Sequence, residues 1–462
     1  MEGNRLNPAI FREYDIRGVA ARDLDDKTVL SLGRAFGTWL QRRGRREALV
    51  GMDNRLSSPR LKEALMEGLL STGCRVVDLG TVITPLFYYA RELYGVDGGV
   101  MITGSHNPPD ENGFKLACGP GTIYGEEIQS LRRLMENGDF VTGRGTLDGA
   151  NPAPEYLAML AEKIRLGPKK PKVAVDCGNG TAALFAVDFL TSLGCTVIPL
   201  YCKPDGHFPH HHPDPVKRAN LTTLVETVRK EGAGLGIAFD GDGDRLGAVD
   251  DTGRVIWGDQ LMALFWREIL PKHPGAVAII EVKCSQGLVD EVKRLGGRPY
   301  FYRTGHSLIK ARMRELGAVF TGEMSGHMFF ADEYYGFDDA FYAAGRLLRL
   351  LSNSQESFSA LVDTLPRYHS TAETRVPCSD REKFAVVQRL TALFREKYEV
   401  IDVDGVRVQF PGGWGLVRAS NTQPVLVARC EAATGEELDR ITEIMRQALL
   451  NQPEVAGFQW EY

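Results

Sequence analysis

The chain has 462 residues, of which 43% are hydrophobic and 25% charged, with a net charge of -5. That length predicts about three domains, with two to four acceptable, and the composition suits a globular chain with a substantial core. The negative balance excludes nucleic acid as the expected partner, and an anionic ligand needs a local basic cluster. The eight cysteines are scattered with no Cys-x-x-Cys, which suits reduced thiols better than a disulfide framework or a zinc site. The N-terminus lacks the apolar segment of a signal peptide, and no later stretch approaches bilayer length. A cytoplasmic protein with no membrane partner is expected.

Three segments repeat one plan. Ala48–Asp53 is an apolar run ending in a carboxylate, followed by a Ser/Pro loop, a helical pattern (Leu61, Leu65, Leu69) and a second run from Gly73. Lys172–Asp176, the loop Cys-Gly-Asn-Gly-Thr, an apolar helix and the run from Gly194 form the second copy. Ala276–Glu281, the loop Val-Lys-Cys-Ser, a helix from about Gln286 and the run from Gly296 form the third. Strand, polar loop, helix, glycine, strand is a βαβ rhythm and predicts mostly parallel sheets covered by helices. Ligands then collect at the carboxyl ends of the strands. Beyond Pro366 the plan changes to a strand-like 371–376, a helix near 382–397, alternating strands over 398–410 and a closing helix. Thr434 would be the N-cap of that helix, with Glu437 completing a capping box. The expected fold is α/β, with three similar mixed domains and a smaller C-terminal α+β domain around a central cleft. The boundaries are 1–150, 151–251, 252–367 and 368–462, the first falling in a Gly/Asn/Pro-rich linker over 137–154.

Certain loops carry chemistry. After the apolar run 100–102, Thr103-Gly-Ser-His-Asn-Pro-Pro109 holds Ser105 and His106 on a stiffened turn: an activated hydroxyl, or an ordinary strand exit. In Asp240-Gly-Asp-Gly-Asp-Arg245, three carboxylates converge between strand-like runs and repel unless a cation neutralises them. Hard oxygen ligands point to Mg²⁺. An EF-hand is rejected because Arg245 occupies its glycine position and strands replace its helices; a purely structural turn is the alternative. Arg418, Ser420, Asn421 and Thr422 in one loop match a phosphate dianion, or else a polar turn before Pro424. Glu323 and Ser325 on a glycine-flanked loop suit vicinal sugar hydroxyls, and His327 beside them is either a solvated loop histidine or a proton-transfer group. Lys283, Arg303, His306, Arg17 and Lys115 add positive or titratable groups, although surface charge explains some of them equally well. Tyr14 and Phe11 are more often packing residues. The stretch Gly206–Asp214 looks like a metal cluster but is read as mostly structural, since consecutive histidines face different ways and prolines stiffen the loop.

Five motifs span nearly the whole chain: Phe11-Arg-Glu-Tyr-Asp-Ile-Arg-Gly18, Thr103-Gly-Ser-His-Asn-Pro-Pro109, Asp240-Gly-Asp-Gly-Asp-Arg245, Gly322-Glu-Met-Ser-Gly-His327 and Arg418-Ala-Ser-Asn-Thr422. In this order they resemble the α-D-phosphohexomutases, in their phosphomannomutase/phosphoglucomutase branch. The resemblance implies an isomerase moving phosphate between the 1- and 6-positions of mannose or glucose. Ser105 would carry the phosphoryl group as phosphoserine and, with Asp240, Asp242 and Asp244, would hold one Mg²⁺. Arg17, Lys115, His106 and His327 would stabilise charge or move protons. Tyr14, Arg245, Lys283, His306, Glu323, Met324, Ser325 and Gly326 would contact substrate, and Arg418, Ser420, Asn421 and Thr422 its idle phosphate. Hexose 1,6-bisphosphate is implied as intermediate and activator, hexose phosphates as partners, and a monomer or weak dimer as the assembly. Met324 looks like the mannose/glucose branch, whereas the glucosamine branch usually has glutamine there. Gln423 departs from the glutamate common after the phosphate loop. A metal-dependent sugar phosphatase, a phosphoglucosamine mutase and a sugar-phosphate-binding protein are the alternatives.

Overall fold

The computed structural model describes residues 6–420 and 423–462. Two compact units result: one runs to Gly258 and takes up Ser325–Leu361, the other comprises Asp259–Met324 with Val362–Tyr462.

The first unit contains two sheets. In one, strands Glu47–Met52, Gly98–Ile102 and Arg75–Thr81 lie parallel, and Glu111–Cys118 and Ile16–Val19 add antiparallel neighbours. Successive glycines of the central strand expose its two faces. A Cβ on Gly98 would meet Leu40 of the helix Asp26–Gln41, and one on Gly99 would meet Phe87 of the helix Thr84–Tyr94. Side chains alternate across a strand, so these helices cover opposite faces. The helix Ser58–Ser71 crosses Asp26–Gln41 so closely that a Cβ on Gly68 would lie 2.3 Å from the Leu30 carbonyl oxygen. In the second sheet Leu235–Phe239, Lys172–Asp176 and Thr196–Leu200 are parallel, while Leu246–Asp250 folds back antiparallel and turns into Val255–Ile256. The Asp250 carboxylate accepts the amides of Thr252 and Arg254, so the turn at Asp251 is a hairpin within this sheet.

The second unit begins with Val277–Glu281 between parallel Arg298–Tyr302 and Phe320–Gly322. It ends in an antiparallel sheet ordered His369–Ser370, Val425–Ala432, Gly413–Ala419, Val406–Phe410 and Glu399–Ile401, with Thr374–Pro377 also on Val425–Ala432. The helices Lys383–Arg395 and Gly435–Leu450 bury Leu390, Phe394, Ile441 and Met445 against that sheet. Thr434 Oγ1 accepts the Glu437 amide at 3.2 Å, supplying the cap expected from the sequence.

The α/β class and the smaller α+β end follow the sequence reading. One difference concerns the stretch 137–154, expected to be a linker. There Leu147–Gly149 pairs in parallel with Arg75–Thr81 as the outermost strand, and Arg75 Nε donates to Asp148 at 2.8 Å. A three-residue, fully exposed strand has no apolar alternation to announce it. No helix among the described residues is long and apolar enough to cross a membrane.

The crossing at Gly68 is a steric requirement. Gly68→Ala is expected to destabilise the first unit by about 1–3 kcal/mol through overpacking, read as a lower urea midpoint; an unchanged midpoint would contradict the contact.

Candidate active site

Ser105 follows the central strand Gly98–Ile102 and sits at φ 48°, a left-handed conformation that L side chains adopt only under constraint. Arg55 supplies that constraint. It is fully buried, and its Nη1 donates to the carbonyls of Pro108 (2.5 Å) and Glu111 (2.9 Å). Its Nη2 donates to those of Ser105 and Asn107, both at 2.7 Å. Asp53, the strand-ending acid, accepts the Gly104 amide and pairs with Arg55 at 3.2 Å. A side chain at 104 would strike the guanidinium, since a Cβ there would lie 2.5 Å from Arg55 Nε. The Ser105 hydroxyl, thus fixed, donates to Asp240 Oδ2 at 2.7 Å.

Asp240 ends the strand Leu235–Phe239, and its Oδ1 accepts the amides of Asp244 and Arg245 at 3.1 Å, curling the turn inward. Asp240, Asp242 and Asp244 are all buried, with ligand atoms within 4.8 Å of one another. Lys115, from the strand Glu111–Cys118, bridges Asp242 Oδ2 at 2.7 Å and Asp244 Oδ2 at 2.5 Å, and Thr84 Oγ1 donates to Asp242 at 2.6 Å. Burial and mutual repulsion raise carboxyl pKa values. Against both, Lys115 holds Asp242 and Asp244 below the usual range, while burial and the two neighbouring charges push Asp240 well above it. Asp242 Oδ1 is buried without a hydrogen-bond donor among the described residues. An all-oxygen, negatively charged set with a spare ligand atom fits a hard divalent cation, with Ser105 Oγ beside it.

Other residues expected in the site gather here. His327 Nε2 lies 3.2 Å from Asp244 Oδ1 and 3.3 Å from Arg245 Nε, and its Nδ1 is 3.0 Å from Ser325 Oγ. Gly326 has φ 91°, and a Cβ there would meet the Leu246 carbonyl oxygen at 2.5 Å, so only glycine brings this loop against the strand Leu246–Asp250. Arg17 donates to Asn107 Oδ1 at 3.1 Å and pairs with Asp15 at 2.5 Å. Tyr14, three residues before it, is half-buried. His106 Nδ1 is 3.1 Å from Asp214 Oδ2. Burial and the charge of Arg245 lower the His106 pKa to about 4, so at neutral pH its ring is neutral and donates to Asp214. Although burial opposes ionisation, the hydrogen bond from His106, with the charges of Arg245 and Lys217, holds Asp214 below the usual range. The histidines of 207–212 have separate partners, His210 on Asn179 and His211 on Asp176, as befits a structural loop.

In the second unit, Glu281 organises the loops. Its Oε2 accepts the Met324 amide at 3.0 Å, and its Oε1 accepts from Thr304 Oγ1 at 2.8 Å and lies 3.4 Å from Lys283 Nζ. Burial opposes charge on Lys283, but Glu281 and Glu373 more than offset it, holding the ammonium above its ordinary range. Glu323 Oε1 accepts the Gly305 amide at 2.8 Å, next to His306. Asp404 Oδ2 accepts both Thr304 N and Arg418 Nε, linking the His306 loop to the end of the strand Gly413–Ala419. Ser420 Oγ accepts the Gln423 amide, and Lys383 Nζ donates to the Ser420 and Gln423 carbonyls. Asn421 and Thr422 lie outside the described residues. Three successive carbonyls around Lys283 are held by arginines: Val282 and Cys284 by Arg407, both at 2.7 Å, and Lys283 by Arg429. The Arg407 guanidinium stacks 3.8 Å from the Trp414 ring, and burial lowers its pKa to about 9.

Arg55, Asp214, Thr84, Arg407 and Arg429 were not singled out from the sequence. The only available signal was Arg55 two residues after a strand-ending aspartate.

Four domain models of phosphoglucomutase/phosphomannomutase match in order: α/β/α domain I over residues 8–142, II over 154–253, III over 257–368 and the C-terminal domain over 373–448. The chain belongs to the phosphoglucomutase/phosphomannomutase family. It is 46% identical over 446 residues to a phosphomannomutase/phosphoglucomutase of Pseudomonas aeruginosa, covering 96% of each chain. It is 40% identical over 450 residues to a phosphoglucomutase of Neisseria gonorrhoeae, covering 96% of this chain and 97% of that one. A crystal structure of a family protein from Burkholderia thailandensis superposes with TM-score 0.92 at 41% identity, covering 99% of this chain and 100% of the other. The mutase reaction of the family is intramolecular phosphoryl transfer, which makes the enzyme an isomerase.

Arg55→Lys keeps a charge but loses the fork that gathers four carbonyls. Turnover is expected to fall about 10²-fold through misplacement of Ser105, with KM little changed; a folded variant with undiminished kcat would contradict the positioning role.

Proposed function

We propose that the enzyme interconverts the 1- and 6-phosphates of mannose or glucose, with Ser105 as phosphoryl carrier. The two oxygens lie at opposite ends of the sugar and cannot share one transfer geometry, so a phosphoserine must give before it takes. The Oγ–phosphorus bond of phosphoserine 105 breaks as the free sugar hydroxyl bonds to phosphorus, and the hydroxyl proton leaves to a base, for which His327 Nε2 is the candidate. The resulting hexose 1,6-bisphosphate reorients, and Ser105 Oγ takes back the other phosphate. The same bisphosphate recharges an enzyme that has lost its phosphate.

The reading rests on one observation: the Ser105 hydroxyl points at Asp240 within a buried carboxylate cluster that Lys115 only partly neutralises. Asp240, Asp242, Asp244 and phosphoserine 105 would hold one Mg²⁺, which when bound supplies Lewis-acid stabilisation of phosphoryl charge. Lys115, Arg17 and Arg245 add fixed positive charge, which a loose phosphoryl-transfer transition state requires on its equatorial oxygens. His106, neutral and held on Asp214, orients the loop beside the carrier. Tyr14, Lys283, His306, Glu323, Met324, Ser325 and Gly326 recognise the sugar, and Arg418, Ser420, Asn421 and Thr422 grip the idle phosphate. The names of the relatives support mannose and glucose phosphates.

In a coupled assay with mannose 1-phosphate and glucose 1-phosphate, both are expected to turn over with Mg²⁺ and neither after chelation. Ser105→Ala should lose most turnover yet still bind hexose phosphate. Unchanged turnover in that variant would exclude Ser105 as carrier.

A further inference from the structure

Two thiols that the mutase reaction does not use face each other behind the metal loop. Cys177 follows the strand Lys172–Asp176, and Cys202 lies two residues beyond Thr196–Leu200, its parallel neighbour. Their sulfurs are 3.3 Å apart, and all eight cysteines of the chain are thiols. Cys177 is buried and Cys202 half-buried, so a reagent reaches Cys202 first. Cys202 Sγ lies 3.3 Å from Cys177 Sγ, so once the more exposed Cys202 has reacted its partner is already within reach to attack it.

We propose that Cys177 and Cys202 close reversibly into a disulfide in the presence of a small oxidised disulfide such as oxidised glutathione, and that closure slows the mutase. The Cys202 thiolate attacks one glutathione sulfur and expels the other glutathione as thiolate. Cys177, deprotonated as it reacts, then attacks Cys202 Sγ and expels the second glutathione. Two electrons pass from the protein dithiol to one oxidised glutathione, giving one protein disulfide and two reduced glutathiones.

Closure tightens the link between the two loops that carry the thiols. The sulfurs have to approach from 3.3 Å to about 2.05 Å. The loop after Cys177 has little freedom to follow. Gly178 and Asn179 both have left-handed φ, at 49° and 59°. Asn179 is pinned by its amide on the Tyr201 carbonyl, its Nδ2 on the Lys203 carbonyl and His210 on its Oδ1. From there a rigid path leads to the nucleophile. The Thr181 amide donates to the Gly241 carbonyl at 2.8 Å, and a Cβ on Gly180 would lie 2.9 Å from Gly241 Cα. A Cβ on Gly241 would in turn lie 2.3 Å from the Ser105 carbonyl oxygen. Asn54, beside Arg55, donates to the Asn179 carbonyl and to Thr181 Oγ1. A shift of the Cys177 loop is therefore transmitted to the seat of Ser105 and to the turn that carries Asp240.

The test incubates the full-length enzyme with oxidised glutathione, maps peptides without reduction, and follows mutase turnover before and after dithiothreitol. The expected result is a linked pair of peptides containing residues 177 and 202, with turnover reduced about tenfold or more and restored by reductant. Cys202→Ser should keep the reduced enzyme's turnover, yield no such link and resist glutathione; Cys177→Ser should stop at the mixed disulfide on Cys202. Absence of the linked pair while other thiols are modified would overturn the proposal, and a linked enzyme with full turnover would overturn the claimed coupling. The peptide map does not depend on which hexose phosphate is the substrate.

Discussion

Three buried carboxylates at one turn set the terms for the rest of the first unit. Each pair about 4 Å apart repels by about 4 kcal/mol at an effective dielectric constant near 20. No fold keeps such a cluster without a standing arrangement of positive charge. Lys115 reaches it from the neighbouring sheet, Arg245 follows it in sequence, and Thr84 donates a hydroxyl hydrogen. A divalent cation held there would supply the missing positive charge and would also offset that of a phosphoryl group on Ser105, whose hydroxyl the turn meets through Asp240. The resting electrostatics and the transferred group are aspects of one charge balance.

The three strand-ending acids perform one service in three places. Asp53 accepts the Gly104 amide, Asp176 accepts the Gly178 amide and Glu281 accepts the Met324 amide. Asp53 and Glu281 each tie a distant loop to the carboxyl end of a strand, whereas Asp176 closes the turn that follows it. Arginines finish the work by collecting carbonyls: Arg55 takes four around Ser105, while Arg407 and Arg429 take three around Lys283. A guanidinium with a fixed fork of donors can order several carbonyls at once, which an ammonium on a flexible stem cannot. The reactive loops are held by buried cations bonded to backbone, leaving their own side chains available for substrate.

The βαβ copies were legible because strand and helix periodicities differ and polar loops separate them. Ser105 and the aspartates stood out because glycines isolate them in short motifs. Arg407 and Arg429 were invisible, and Arg55 showed only through its nearby aspartate, because their main hydrogen-bond partners are backbone carbonyls, which leave no signature in a sequence. The Leu147–Gly149 strand was missed because an exposed outermost strand needs no apolar face. Asp214 was hidden in a loop whose histidines drew the eye, although it is the acid that holds His106.

The central claim is that Ser105 shuttles the phosphoryl group. Peptide mass spectrometry of the purified enzyme, before and after a chase with glucose 6-phosphate, tests it most directly. A phosphate adduct on the peptide containing Ser105 that is discharged by the sugar is the predicted result; an adduct that persists through many turnovers, or one confined to another residue, would contradict it.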